Sequence, residues 1–220
     1  MPIRVPPGRA GRLWLREHLA VARRAADLLG EKRRELRHEA IRLRQLVEDS
    51  RARWTAACRS AETWLLRAAL VGGEHQLDVA AAQVGTAAEA RIGWRSVMGL
   101  AYPTEAAFEP GPLADVAGFG DSSALAYAAE AHRMAVAVAV EHAAVERALE
   151  LVTDELATTV RRHRAIERSW IPRLEAILHD VEQGLEENER EAIVVARWVT
   201  AGGRNRPAGG PTVRRTEERA

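Results

Sequence analysis

Residues Arg161–Val199, RRHRAIERSWIPRLEAILHDVEQGLEENEREAIVVARWV, return an apolar side chain every three or four positions over more than five heptads, the pattern of one long helix. From Leu174 the seam runs through Leu178, Val181, Leu185, Asn188, Ala192, Val195 and Val199. Upstream it runs through Leu149, Val152, Leu156, Thr159, His163, Ile166 and Trp170. Where the two halves join, three steps of four follow one another, a stutter that locally unwinds a left-handed supercoil. Pro172 lies inside it. It removes one ladder donor and crowds the carbonyl of Arg168, so the helix is expected to bend here without ending.

A second seam lies near the other end of the chain. It passes through Leu15, Leu19, Ala22, Ala26, Leu29, Arg33, Leu36, Ala40, Leu43, Val47, Ser50, Trp54, Ala57, Ala61, Trp64, Ala68 and Val71, broken only by Arg33 and Ser50. That regularity specifies a coiled coil of two or a few strands. Residues 9–73 are read as the first coiled-coil helix, a rod of roughly 95 Å, with Gly72-Gly73 as its stop. Residues 124–200 are the second, although Ala135–Val140, AVAVAV, alone could pass for a strand.

The rest of the chain has a different character. Residues 1–8 are a Pro-rich, extended lead-in, and the Gly/Pro/Arg-rich tail 201–220 is expected to be disordered. Residues 74–123 form an insert, and within it the alternation of Ile92, Trp94, Ser96, Met98, Leu100 and Tyr102 suggests a short β-hairpin. Pro110, Gly111, Pro112, Gly118 and Gly120 mark an irregular loop. The fold class is therefore mainly all-α: a long antiparallel two-helix coiled-coil hairpin with a small insert at its apex. If the insert closes near residues 72 and 126, Arg12 and Arg16 face Glu186 and Glu182, and Leu28 faces Trp170.

Charge and chemistry narrow the function. Net charge is +1, but residues 1–60 carry fifteen basic and seven acidic side chains, and residues 61–160 five and fourteen. An Arg-rich first arm raises the question of nucleic acid, yet acids are interspersed and no aromatic-basic stacking surface is present. These charges read as a solvated helix face meeting an acidic partner arm. Cys58 is the single cysteine, excluding an internal disulfide and pointing to a reducing compartment. It lies beside the seam and is read as inert. No signal peptide is read, and no apolar run approaches the roughly 20 residues that span a bilayer, so the protein is expected to be soluble.

Catalytic patterns are missing. Lys32 is the only lysine and lacks P-loop spacing, and no G-x-G-x-x-G or G-x-S-x-G occurs. The sole Glu-x-x-His, Glu35–His38, is half of what a di-iron bundle requires. His163 falls on the seam as a packed polar break. No catalytic residue, cofactor or metal ligand is assigned.

Several ordered segments resemble a known family. Pro7-Gly8-Arg9, Leu13, Leu19 and the run Ala26–Leu36 look like the start of the D subunit of the V-type/A-type rotary ATPases. Ser96–Pro103, SVMGLAYP, resembles that family's central hairpin segment. Arg161-Arg162 through Ile166-Glu167, Ile171–Glu175 and Leu185–Glu191 are similar to its C-terminal signature. The resemblance covers about half the chain. It implies a non-catalytic central-stalk rotor shaft, cytoplasmic and peripheral to the membrane, that couples ATP hydrolysis or synthesis to proton or sodium transport. Its partners would be the A, B, F and C/d subunits, with membrane contact only through the complex and no nucleic acid.

Three sets of functional residues follow. Ile193, Val194, Val195, Trp198 and Val199 form a hexamer-facing tip that is apolar around nearly the whole helix. Trp170 and Pro172 form the coupling kink, with Trp170 expected to pack between Ala22 and Leu36. Val97, Met98, Gly99 and Pro103 mark the apical insert. The competing readings are a free coiled-coil scaffold or adaptor, a helical-bundle metalloenzyme and a nucleic-acid-binding rod.

Overall fold

The computed structural model describes residues 4–82, 88–111 and 122–203, the last three by their backbone alone. Helix α1 spans Gly8–Ala82, strands β1 and β2 span Glu89–Val97 and Leu100–Glu109, and helix α2 spans Ser123–Ala165. A π-helical turn, Ile166–Trp170, leads into helix α3, Ile171–Gly203. The mainly helical fold with a two-stranded insert is the one the sequence specifies. Two compact units divide it, one of residues 25–165 and one of residues 1–24 with 166–220.

In the first unit most seam positions are buried or half-buried as the heptads require, but Trp54 and Val71 are exposed by 37% and 73%. Leu36, Ala40 and Leu43 of α1 are buried with Ala148 and Val152 of α2. Alternating large and small residues let the two backbones approach, and each fully buried leucine contributes about 1.5–3 kcal/mol. The seam breaks at Ser50 and His163 are both buried within the helix pair. His163 lies over Gly30, where an added Cβ would stand in ordinary contact, 3.6 Å from the imidazole Nε2.

The first helix does not stop at the double glycine. Gly73 takes φ 71° and ψ 168°, a conformation open essentially to glycine alone, and the helix then resumes to Ala82. Leu77 and Ala80 beyond that break join Trp64 and Ala68 in one cluster with Leu125 and Ala128 at the start of α2. The chain thus uses Gly73 to re-aim a helix, so the expected end at residue 73 becomes a joint. Ser122 opens α2, its carbonyl accepting hydrogen bonds from the amides of Leu125 and Ala126.

β1 and β2 pair antiparallel through the two-residue turn Met98-Gly99, in which both φ values are positive (50° and 79°). Such turns match the right-handed twist of the strands they join. The register shifts once, between Gly93↔Glu105 and Trp94↔Pro103, leaving Thr104 as the extra residue of β2. The hairpin leaves the chain between the long helices and then folds back along them. Tyr102 is fully buried among Leu36, Ala40, Leu43, Ala148 and Val152.

The second unit packs Leu15, Leu19 and Ala22 of α1 against Leu174, with Ile166, Ile171, Leu178 and Val181 around them. Val5 joins this cluster, so part of the lead-in folds onto the helix end. A Cβ on the buried Gly11 would fall 2.0 Å from the Pro6 carbonyl oxygen, which explains the glycine there. Three ion pairs tie the helices at heptad intervals: Arg9–Glu189 at 2.9 Å, Arg16–Glu182 at 2.6 Å and Arg23–Glu175 at 2.7 Å. The expected Arg16–Glu182 pairing is present, whereas Glu186 pairs within its own helix with Arg190 at 3.8 Å. Residues 204–220, expected to be disordered, and 112–121, most of the expected irregular loop, lie outside the described residues.

Candidate functional site

Pro172 is the second residue of α3, where its missing N–H would have served the Arg168 carbonyl. The preceding five residues answer with a π-turn, which widens the backbone and accommodates the ring. An extra residue in one turn also rotates the side chains that follow. The apolar seam therefore passes from Ile166 to Ile171 and then Leu174, a step of five and a step of three. Trp170, which the heptads assign to the seam, is turned outward and 42% exposed. A π-turn stands where the bend is expected, and Ile171 fills the seam place expected of Trp170.

At the end of α3 the seam loses its cover. Leu185 is still half-buried, but every described position from Glu186 to Thr200 is exposed. Ile193, Val194, Val195, Trp198 and Val199 are exposed by 54%, 55%, 61%, 79% and 69%. Five large apolar side chains on one short stretch of helix exceed what a monomeric surface ordinarily leaves to water. The neighbouring charges are Arg197 and, nearly two turns earlier, Glu191.

The hairpin residues occupy the other unit. Val97 and Leu100 flank the turn and pack against the Tyr102 cluster, Pro103 is buried, and Met98 is 43% exposed at the turn itself. A polar clasp that periodicity did not reveal holds this arrangement. The Tyr102 hydroxyl donates to Glu39 Oε1 at 2.6 Å, and the Arg42 guanidinium donates to both oxygens of the same carboxylate. The Arg42 bond is the largest influence on Glu39 and lowers its pKa; burial opposes it, and the Tyr102 bond reinforces it. Burial, then the bond to Glu39, raises the Tyr102 pKa, keeping the phenol a donor. Only the spacing Glu39-x-x-Arg42 on one helix face could have hinted at this clasp.

A cavity of about 460 Å³ lies where Leu65, Leu77 and Ala80 of α1 meet Leu125, Ala128 and Val136 of α2. Its lining is mainly aliphatic, with Asp78, His132 and Arg133 at its polar positions. Among the described residues no three His, Cys, Asp or Glu side chains stand close enough to hold a metal ion. No helix among them is long and apolar enough to cross a membrane.

Comparison with known families matches residues 13–201 to the family described as the D subunit of ATP synthase. The chain belongs to that family. It is 33% identical over 197 residues to the A-type ATP synthase D subunit of Methanopyrus kandleri, covering 89% of this chain and 85% of the relative. It is 32% identical to the V-type ATP synthase D subunit of Anaeromyxobacter sp. Fw109-5, over 87% and 90% of the two chains. The A-type ATP synthase D subunit of Thermococcus gammatolerans is 31% identical over 90% and 94%. The span of this D subunit that matches the family includes the π-turn, the hairpin and nearly all of α3.

Proposed function

We propose that this D subunit is the central-stalk shaft of an A/V-type ATP synthase, coupling ATP hydrolysis or synthesis in a hexamer of A and B subunits to proton or sodium transport by the membrane rotor. The observation that carries this reading is the uncovered apolar end of α3, Ile193 to Val199. Apolar contact is non-directional, so a helix end greased on all sides can turn within an apolar collar without breaking specific bonds. In this reading the chain is non-catalytic: nucleotide chemistry belongs to A and B, while F and C/d hold the shaft and seat it on the rotor. Its place is cytoplasmic, at the membrane only through the complex.

Torque transfer needs stiffness and asymmetry. The apolar seam, closed by Leu15, Leu19 and Leu174 in one unit and Leu36, Leu43 and Val152 in the other, supplies the stiffness. The π-turn before Pro172 interrupts the uniform repeat and is the asymmetry assigned to coupling. A shaft lacking threefold symmetry presents a different face to each catalytic interface of the ring. Closure of an interface on ATP then pushes the shaft, and rotation of the shaft opens or closes the interface.

The test is truncation after Glu191 in the purified complex. Residues 4–191 retain all three buried clusters, so the chain should fold. Expected is weaker seating in the ring and a loss of ATP-driven ion transport relative to ATP hydrolysis. Full coupling by the truncated chain would remove the bearing role of the tip. Failure of the intact chain to co-purify with A, B and F would remove the shaft itself.

A further inference from the structure

Among the described residues, β1 is a strand with one side unpaired. Its register is taken up by β2, and β2 is the strand that packs on α2. Eight of the nine β1 residues are exposed, Val97 at the turn being the exception, so a nine-residue edge of backbone donors and acceptors faces water. Natural edge strands are usually blunted by proline, by charged side chains, lysine above all, or by a bulge. β1 has no proline or lysine, its charges being Glu89, Arg91 and Arg95, and the bulge of this hairpin lies in β2 at Thr104, so β1 stays regular.

Its side chains alternate in a way that specifies a neighbour. Ile92 and Trp94 share one face and are 48% and 64% exposed; Arg91 and Arg95 share the other. Arg91 is held only by an exposed ion pair to Glu109, with its side chain 71% exposed, a contact worth about 0–1 kcal/mol and easily exchanged. Gly93 sits between the two pairs. A Cβ there would meet Glu105 at 3.4 Å, an ordinary contact, so the hairpin itself does not demand glycine. The missing side chain leaves the centre of the edge open to another backbone.

We propose that β1 is the receiving edge for an extended strand contributed by another subunit, with acidic residues opposite Arg91 and Arg95 and apolar residues opposite Ile92 and Trp94. A second copy of this chain is the poorer occupant: the antiparallel register that pairs all nine residues sets Arg91 against Arg95 twice. Like charges directly opposed across strands destabilise the pairing. Strand addition would take main-chain hydrogen bonds from the edge and selectivity from the alternating side chains. The inference rests on the chain working inside the multi-subunit assembly.

Hydrogen exchange read residue by residue on β1 tests it, comparing the isolated chain with the purified assembly. In an antiparallel pair every second amide points away from the partner strand. These outward amides exchange fast in the isolated chain and should slow about tenfold or more in the assembly. The double variant Ile92→Ser, Trp94→Ser should restore fast exchange while still assembling, because neither side chain is buried in the hairpin. Outward amides that exchange equally fast in both samples would overturn the proposal while leaving the shaft reading intact. Slowing that ignores the alternation would also overturn it. Slowing in the isolated chain as its concentration rises would assign the edge to a second copy and overturn the acidic partner strand. An intact chain found outside the assembly would overturn the shaft reading and this occupant together.

Discussion

Ser50 Oγ and His142 Nδ1 meet at 2.9 Å across the α1–α2 pair, in a layer where Ser50 is wholly buried and His142 is 6% exposed. The imidazole also stacks on Trp54, with ring centroids 5.3 Å apart. This polar layer satisfies the imidazole in one register, and a slip would strand it, whereas Ser50 Oγ also donates to the Val47 carbonyl at 3.0 Å within its own helix.

Ser50→Ala leaves a buried imidazole nitrogen without its partner and should cost about 1–3 kcal/mol in urea unfolding. The double variant Ser50→Ala, His142→Leu removes both polar groups and should recover most of that loss. A double variant as unstable as the sum of the singles would show that the pair is not coupled.

Tyr102→Phe keeps the ring in its cluster but deletes the bond to the Glu39 carboxylate. A hydrogen bond to a charged group contributes about 1.5–3 kcal/mol, and the loss should loosen the hairpin before it affects the helices. Faster exchange in β2 with unchanged exchange in α1 is the expected signature.

Acid should act on the same clasp. The folded-state pKa of Glu39 lies below its ordinary value of 4.5, chiefly through Arg42. Its stabilisation is therefore complete above the unfolded pKa and lost as pH falls through the folded one. Glu39→Gln should show a smaller drop in unfolding midpoint than wild type between pH 5 and the acid limit of folding, roughly pH 3. Parallel pH profiles for the two proteins would exclude the clasp as an acid-sensitive point.

Two glycines should respond oppositely to alanine. At Gly184, on exposed α3, an added Cβ meets nothing within 4 Å, so Gly184→Ala should stabilise by about 0.5–1 kcal/mol. At Gly11 the Cβ would strike the Pro6 carbonyl oxygen, so Gly11→Ala should lower the thermal midpoint by expelling the lead-in. Equal shifts at both sites would contradict the packing of residues 4–7.

Pro172→Ala restores an amide that can serve the Arg168 carbonyl. The π-turn should then relax to α-helix, returning Trp170 to the seam in place of Ile171 and lowering its access to a soluble quencher. In the assembled complex, ion transport per ATP should fall more than stability does. Unchanged transport would separate the kink from coupling.

The heptads make most of the helix pairing legible: the seam from Leu15 to Ala68 is buried or half-buried except at Trp54, and its two polar breaks, Arg33 and Ser50, stay within it. Trp170 was misplaced because steps of three and four cannot express the step of five that a π-turn introduces. The period-two run located the strands, but it passes straight through Met98-Gly99, which are their turn, and does not say where the hairpin lies. Its fold-back depends on Tyr102 finding Glu39 from 63 positions away, information with no local trace. Gly73 shows the converse, a strong stop signal overridden because Leu77 and Ala80 gain burial by continuing as helix.

The three heptad-spaced ion pairs put every arginine on α1 and every glutamate on α3. During synthesis the arginine-bearing helix leaves the ribosome first, with its apolar stripe bare and its counter-charges still untranslated. Two nascent copies meeting in parallel register would set Arg16 against Gly11 and Arg23 against His18, so neither arginine would meet a carboxylate. Segregating charge by helix thus lets the nascent protein pair poorly with its siblings and well with its own C-terminus, which protects the stripe until the last helix is made.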